Sequence, residues 1–308
     1  MRESTDEIIE AFPTGGKARL RAGELALAGA LLFMAGVAWA HPEEVALASR
    51  YSLATVAVLF CTAALALARS SHPTLQLLRE LLPVPVIPFV FLHLGLLIPL
   101  VHPGHYDEQL EALDRLLLGS ELQAALYDLP LPWWLADLLT LAYSTFFFLP
   151  IVLLVALVRR RDPYLGRVAS TIILTFLVSY AGYFVVPAYG PRAGVARERY
   201  ASLPPGIVGQ PIRDLLDHWE KTKTDAFPSG HTMVTLAVLH CARKRLPRLY
   251  TALLPVGALL IAATVLLTYH WVVDVLAAIP LLLLSLALAR WWCGPLPSVR
   301  HQLPPHLP

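Results

Sequence analysis

Residues 249–289 constrain the fold more than any other stretch. As one straight helix these 41 residues would be about 60 Å long, twice the roughly 30 Å of a bilayer's hydrocarbon core. The run therefore folds back near its middle, where Thr268, Tyr269 and His270 stand. Such a hairpin delivers the His270 imidazole to a membrane surface, with Asp274 four residues on. If both sit on one helix, they share a face one turn apart, and the carboxylate can hold one ring nitrogen while the other stays free to attack. The bland alternative is a satisfied buried His–Asp pair, but ionisable groups at membrane depth are costly and usually functional.

Apolar runs also cover residues 25–40, 51–68, 81–101, 135–157 and 165–186, and a helix beginning near Pro228 reaches Cys241. With the two arms of the hairpin this makes about eight spans, an all-α polytopic integral membrane helical bundle. Composition agrees: 56% of residues are hydrophobic and 15% charged, well outside soluble averages. A net charge of +2, with the basic residues clustered between apolar runs, leaves no nucleic-acid footprint. Cys61, Cys241 and Cys293 show no paired spacing, so neither a disulfide nor a zinc site is expected.

Shorter features complete the frame. Residues 1–21 read as a cytosolic lead with a short amphipathic helix over 5–12. The first run ends in Ala38-Trp39-Ala40, which mimics a cleavage site; an uncleaved span is favoured because the lead is long and more spans follow. Residues 106–127 mix Leu110, Leu113, Leu116, Leu117 and Leu118 with acidic residues, the pattern of a helix lying on a membrane surface. Trp133 and Trp134 mark an interface. The Pro-rich tail, 293–308, reads as disordered.

Basic clusters near residues 17–21, 69–79, 159–161, 243–248 and 290 belong on the cytoplasmic side. Eight spans satisfy all five with both termini inside, in a plasma or inner membrane. The same count sends residues 106–127, Gly190-Pro191-Arg192, Ser229-Gly230-His231 and the His270 tip to the extracytoplasmic face.

Asp225-Ala-Phe-Pro-Ser-Gly-His231 is the second informative segment. Pro228 suits the start of a helix, where its missing N–H is no loss. Ser229 and Gly230 then present backbone N–H groups at a helix N-terminus, which favours an anion, and Gly230 has no side chain to obstruct one. His231 follows on the first turn.

Together, P-S-G-H and H-x-x-x-D resemble the signatures of the type-2 phosphatidic acid phosphatase superfamily. The wording T-D-A-F-P-S-G-H and Y-H-W-V-V-D is similar to its branch of inositol-phosphotransferase-like (inositol phosphorylceramide synthase) and sphingomyelin-synthase-like enzymes. The resemblance covers roughly residues 73–289. It implies a six-helix catalytic core, over residues 73–292, behind a lead and two extra spans in 1–72. It implies that His270 is a nucleophile forming a phosphohistidine, that Asp274 fixes its tautomer, and that His231 is general acid and then base. It implies no metal or other cofactor. The implied partners are a lipid phosphate or phosphodiester and the bilayer itself.

The departures redirect attention. The superfamily's Ser-Arg pair ahead of the nucleophile is Ala263-Thr264 here, so that Arg is missing. Gly190-Pro191-Arg192 is similar to the branch's Pro-Pro-Arg, which makes Arg192 the candidate phosphate clamp, since a planar fork suits phosphate oxygens. Lys221 and Lys223 are candidates for added positive charge, against the reading of solvated loop lysines. Ser229 is either a phosphate donor or a plain helix cap. His102 and His105 lack carboxylates at ligand spacing. Tyr106, Asp107, Asp114 and Gly119 resemble the branch's Y-D…D…G pattern and are expected to shape lipid entry. Tyr143, Tyr180 and Tyr183 read as packing or interfacial anchors.

The expected activity is cleavage or transfer of a phosphate-bearing group of a lipid, to water or an alcohol. A non-catalytic transporter or lipid-binding protein on the same fold is the rival. Charges midway along several helices would favour transport, whereas the ionisable residues here gather at one surface.

Overall fold

A bilayer offers no partner to a backbone N–H or C=O, so apolar runs of this length become helices that satisfy themselves. The computed structural model describes residues 19–219 and 222–299, and is helical with no β-strand among them; one isolated bridge joins Ala188 to Asp225. The expected helix at 5–12, Lys221 and residues 300–308 lie outside the described residues.

Six stretches are long and apolar enough to cross a membrane. They are α1 (Ala22–Ala40), α2 (Leu47–Arg69), the continuous pair α3 (Pro73–Leu81) and α4 (Pro83–Val101), α9 (Leu165–Val185), α13 (Pro247–Leu266) and α14 (Val272–Cys293). A seventh is broken: α7 (Trp133–Ser144), with the turn Thr145–Phe147, meets α8 (Leu149–Arg159) at 51°. The bend falls just ahead of Pro150, which has no N–H to continue the ladder.

The eighth expected segment is α12 (Gly230–Arg245), whose 16 residues span only about 24 Å. It lies among α8, α9, α13 and α14. Met233, Val234, Ala237, Val238, Cys241 and Ala242 are all fully buried. Because protein rather than lipid surrounds it, α12 needs neither full bilayer length nor high hydropathy.

Between the spans, the 106–127 stretch forms α5 (Asp107–Leu118) and α6 (Ser120–Tyr127). The expected single helix breaks at Gly119, whose φ of +79° is open to glycine and strained for other residues. Leu113, Leu116 and Leu117 are exposed on α5, while Leu110 and Asp114 are buried. The loop after α9 carries α10 (Arg197–Ala201) and α11 (Gly209–Trp219). Asp137 of α7 takes hydrogen bonds from the amides of Ile207, Val208 and Gly209, and so caps α11 from outside.

One buried cluster draws together α1, α2, α4 and α9, and a second draws on α8, α9, α12, α13 and α14. At the ends of α1 and α3, Arg79 pairs with Glu24 at 2.6 Å and Arg21 with Glu80. At the far end of α12, Arg245 pairs with Asp162. There Arg167, Lys244 and Arg245 donate to the carbonyls of Pro295, Leu296 and Pro297, in the part of the tail that falls among the described residues. Deeper in the bundle, the Thr222 hydroxyl donates to Phe91 O (2.7 Å) and accepts from Gly95 N (3.0 Å), which inserts it into the ladder of α4.

Candidate active site

The start of α12 is fastened on two sides. Pro228 lies against Gly182 of α9, where a Cβ would stand 2.3 Å from Pro228 Cδ. Gly230 lies against Tyr183, where a Cβ would stand 2.2 Å from the phenol oxygen. Ser229 N–H donates to the Asp274 carbonyl (3.2 Å), so it is not among the amides free for an anion. The Ser229 oxygen accepts from Thr232 N (3.3 Å) and from the Thr232 hydroxyl (3.0 Å), the geometry of a helix N-cap. The amides of Gly230 and His231 stand at the open end of α12.

The hairpin tip falls where the long run predicted, between α13 and α14. The amides of Tyr269 and His270 both donate to Thr264 O at 3.0 Å. Position 264, where the superfamily signature carries Arg, thus supplies the carbonyl that orders the tip. Gly190 fits beneath it with φ +85°, and a Cβ there would meet Tyr269 O at 2.4 Å.

His270 and Asp274 do not share a helical face. Helix α14 begins at Val272, so His270 lies ahead of it on the tip. Asp274 folds back within the first turn to accept the Trp271 amide at 2.8 Å. Its Oδ2 is 3.5 Å from His270 Nδ1, whereas Ala226 O is only 2.7 Å from the same nitrogen. A carbonyl can only accept, so Nδ1 carries the proton and Nε2 keeps its lone pair. His270 Nε2 faces His231 Nδ1 at 3.3 Å.

Four rings, that of His231 among them, and a guanidinium form a column. His231 lies between Phe146 (4.3 Å between centroids) and Tyr143 (4.5 Å). Tyr143 stacks on Tyr269 at 4.4 Å and 14°, and the Arg192 guanidinium sits 4.5 Å over the other face of Tyr269. Arg192 also meets Asp217 of α11 at 3.4 Å. The Tyr200 hydroxyl donates to the same carboxylate at 2.7 Å. Burial, with the Asp217 carboxylate in support, pushes the Tyr200 phenol up to about 12, so it remains a donor at neutral pH. Lys223 Nζ donates to the Asp217 carbonyl at 3.2 Å.

The structure thus draws His231, His270 and Asp274 together, with Ser229 and Gly230 directly beneath. Arg192 and Lys223 converge on Asp217, one ring column away from the imidazoles. Sequence reasoning treated Tyr143 as packing and overlooked Asp217 and the Ala226 carbonyl. Tyr143 sits in a span rich in apolar residues, and a carbonyl has no sequence signature. His105 pairs with Asp107 at 3.2 Å, and His102 Nδ1 is 3.2 Å from Phe184 O. Among the described residues, no three His, Cys, Asp or Glu side chains are grouped as metal ligands.

A profile of the PAP2 superfamily matches residues 108–288, more than half of the chain. The chain belongs to the PAP2 superfamily. All seven candidate site residues fall inside the matched stretch, while α1–α4 precede it. A PA-phosphatase related-family protein of Dictyostelium discoideum is 31% identical over 118 residues, which cover 37% of this chain and 21% of that relative. The chain therefore spans about a fifth of that relative's length. No solved structure matches this PAP2 chain.

Proposed function

We propose that this protein is a membrane-embedded phosphatase or phosphotransferase acting on a lipid phosphate or phosphodiester through a phosphohistidine. The reading rests on the His270–His231 contact, with Nδ1 of His270 held by a carbonyl and Nε2 turned toward the second imidazole. An incoming tetrahedral phosphate replaces that contact. Nε2 forms the P–N bond while the ester P–O bond breaks, and protonated His231 supplies the proton to the departing alkoxide. In the second step His231 takes the proton of water or an alcohol as its oxygen attacks phosphorus and the P–N bond breaks. Asp274 supports the positive charge that grows on His270. The Gly230 and His231 amides and Arg192 hold the phosphoryl oxygens, Ser229 and Lys223 lend a hydroxyl and a charge, and no metal takes part.

The hairpin tip and the start of α12 open on the extracytoplasmic side in this reading, because the basic clusters gather at the other end of the bundle. A lipid panel incubated with purified protein, with and without inositol or another alcohol, tests the activity. Release of inorganic phosphate identifies a phosphatase, and a new phosphodiester identifies a transferase of the inositol phosphorylceramide or sphingomyelin synthase type. Neither product with any lipid would leave a non-catalytic lipid-binding protein or transporter on the same fold.

A further inference from the structure

Helix α5 touches both halves of the site with carboxylates seven residues apart. Asp107 accepts the Gly190 amide at 2.8 Å and the Tyr189 amide at 3.0 Å. Those residues lead directly into Pro191-Arg192, and the Tyr106 amide donates to Pro187 O at 2.9 Å in the same join. Asp114 is fully buried. One of its oxygens accepts the Val273 amide at 2.9 Å and the other the Tyr127 hydroxyl at 2.8 Å. Val273 lies in the first turn of α14, between His270 and Asp274, and Tyr127 packs edge-on against Trp271 at 5.4 Å.

We propose that Asp107 and Asp114 are positioning residues that divide the work of one clasp: Asp107 sets the Arg192 loop that binds phosphate, and Asp114 sets the turn that presents His270. Neither carboxylate reaches the imidazoles through any of these bonds. Each instead fixes backbone that carries a functional group, so loss of either displaces a different component of the reaction. An ångström of misplacement at a reacting centre is enough to cost large factors in rate. This division rests on the function proposed above.

The experiment compares wild type, Asp107→Ala and Asp114→Ala on short-chain phosphatidic acid in mixed micelles. Asp107→Ala raises KM and the vanadate inhibition constant about tenfold with kcat within about twofold, as loss of ground-state and transition-state binding alike requires. Asp114→Ala lowers kcat at least about tenfold with KM nearly unchanged, the signature of misplaced chemistry. Asp107→Asn and Asp114→Asn keep one acceptor oxygen and recover most of each loss. Should Asp114→Ala fail to fold, Tyr127→Phe removes one of its donors and lowers kcat in the same direction. Both alanine variants shifting KM and kcat by one common factor, or neither shifting either, overturns the division.

Amide hydrogen exchange separates this result from failure of the proposed function. Peptides covering 187–193 lose protection only in Asp107→Ala, and those covering 271–275 only in Asp114→Ala. If wild type turns over no lipid, the functional reading falls while exchange still judges the clasp; unchanged protection in both variants refutes it.

Discussion

His231 Nδ1 and His270 Nε2 stand 3.3 Å apart although 39 residues separate them in the chain. Each imidazole arrives from a different helix end, α12 for one and the α13–α14 tip for the other. Replacing His270 with Ala removes the attacking nitrogen and should abolish phosphate release from lipid phosphates without loss of expression. His231→Ala should lower turnover by about 10²–10⁴-fold, the usual worth of one acid–base group. Phosphate release assays on both variants decide this; wild-type turnover by His270→Ala removes it as nucleophile.

Orthovanadate mimics a phosphoryl group bound to a nucleophile and should inhibit competitively with lipid phosphate. EDTA should leave activity intact. Strong loss of activity in chelator, restored by a divalent cation, would replace the proposed chemistry with a metal-assisted one.

Two glycines hold the start of α12 against α9. A methyl at Gly182 would stand 2.3 Å from Pro228 Cδ, and one at Gly230 would stand 2.2 Å from the Tyr183 oxygen. Gly182→Ala should cost about 1–3 kcal/mol through overpacking, read as a lowered Tm in detergent. Gly230→Ala should also depress turnover, because the displaced Tyr183 and α12 carry His231 with them. An unchanged Tm for Gly182→Ala would mean that α9 and the loop separate freely.

Lys223 is exposed and shares Asp217 with Arg192. A cysteine at this position should react with a membrane-impermeant maleimide in intact cells. Labelling confined to lysed cells would reverse the proposed sidedness.

Much of the architecture could be read from the chain because a bilayer admits so few solutions. A 41-residue apolar run has to turn back, and its tip fell at Thr268–His270 as the arithmetic required. Low-hydropathy α12 was legible only through its motif, since burial inside the bundle releases it from the composition rule. His270 and Asp274 have helical spacing in the chain, but Trp271 caps α14 and leaves His270 outside the helix. The pattern that holds Asp107 and Asp114 points to lipid entry and not to the backbone they fasten. Their partners are backbone amides far along the chain, which no periodicity encodes. Gly119 splits α5 from α6 through a positive φ that glycine permits anywhere and announces nowhere.

The Thr222 hydroxyl bonds to both Phe91 O and Gly95 N of α4, about 9 Å below that helix's last residue. Those two groups are partners in an ordinary helical ladder, and the hydroxyl that bridges them ties the loop ahead of α12 to the backbone of that helix. A shift of the third span would therefore pull, backbone to hydroxyl, on the chain three residues ahead of Asp225.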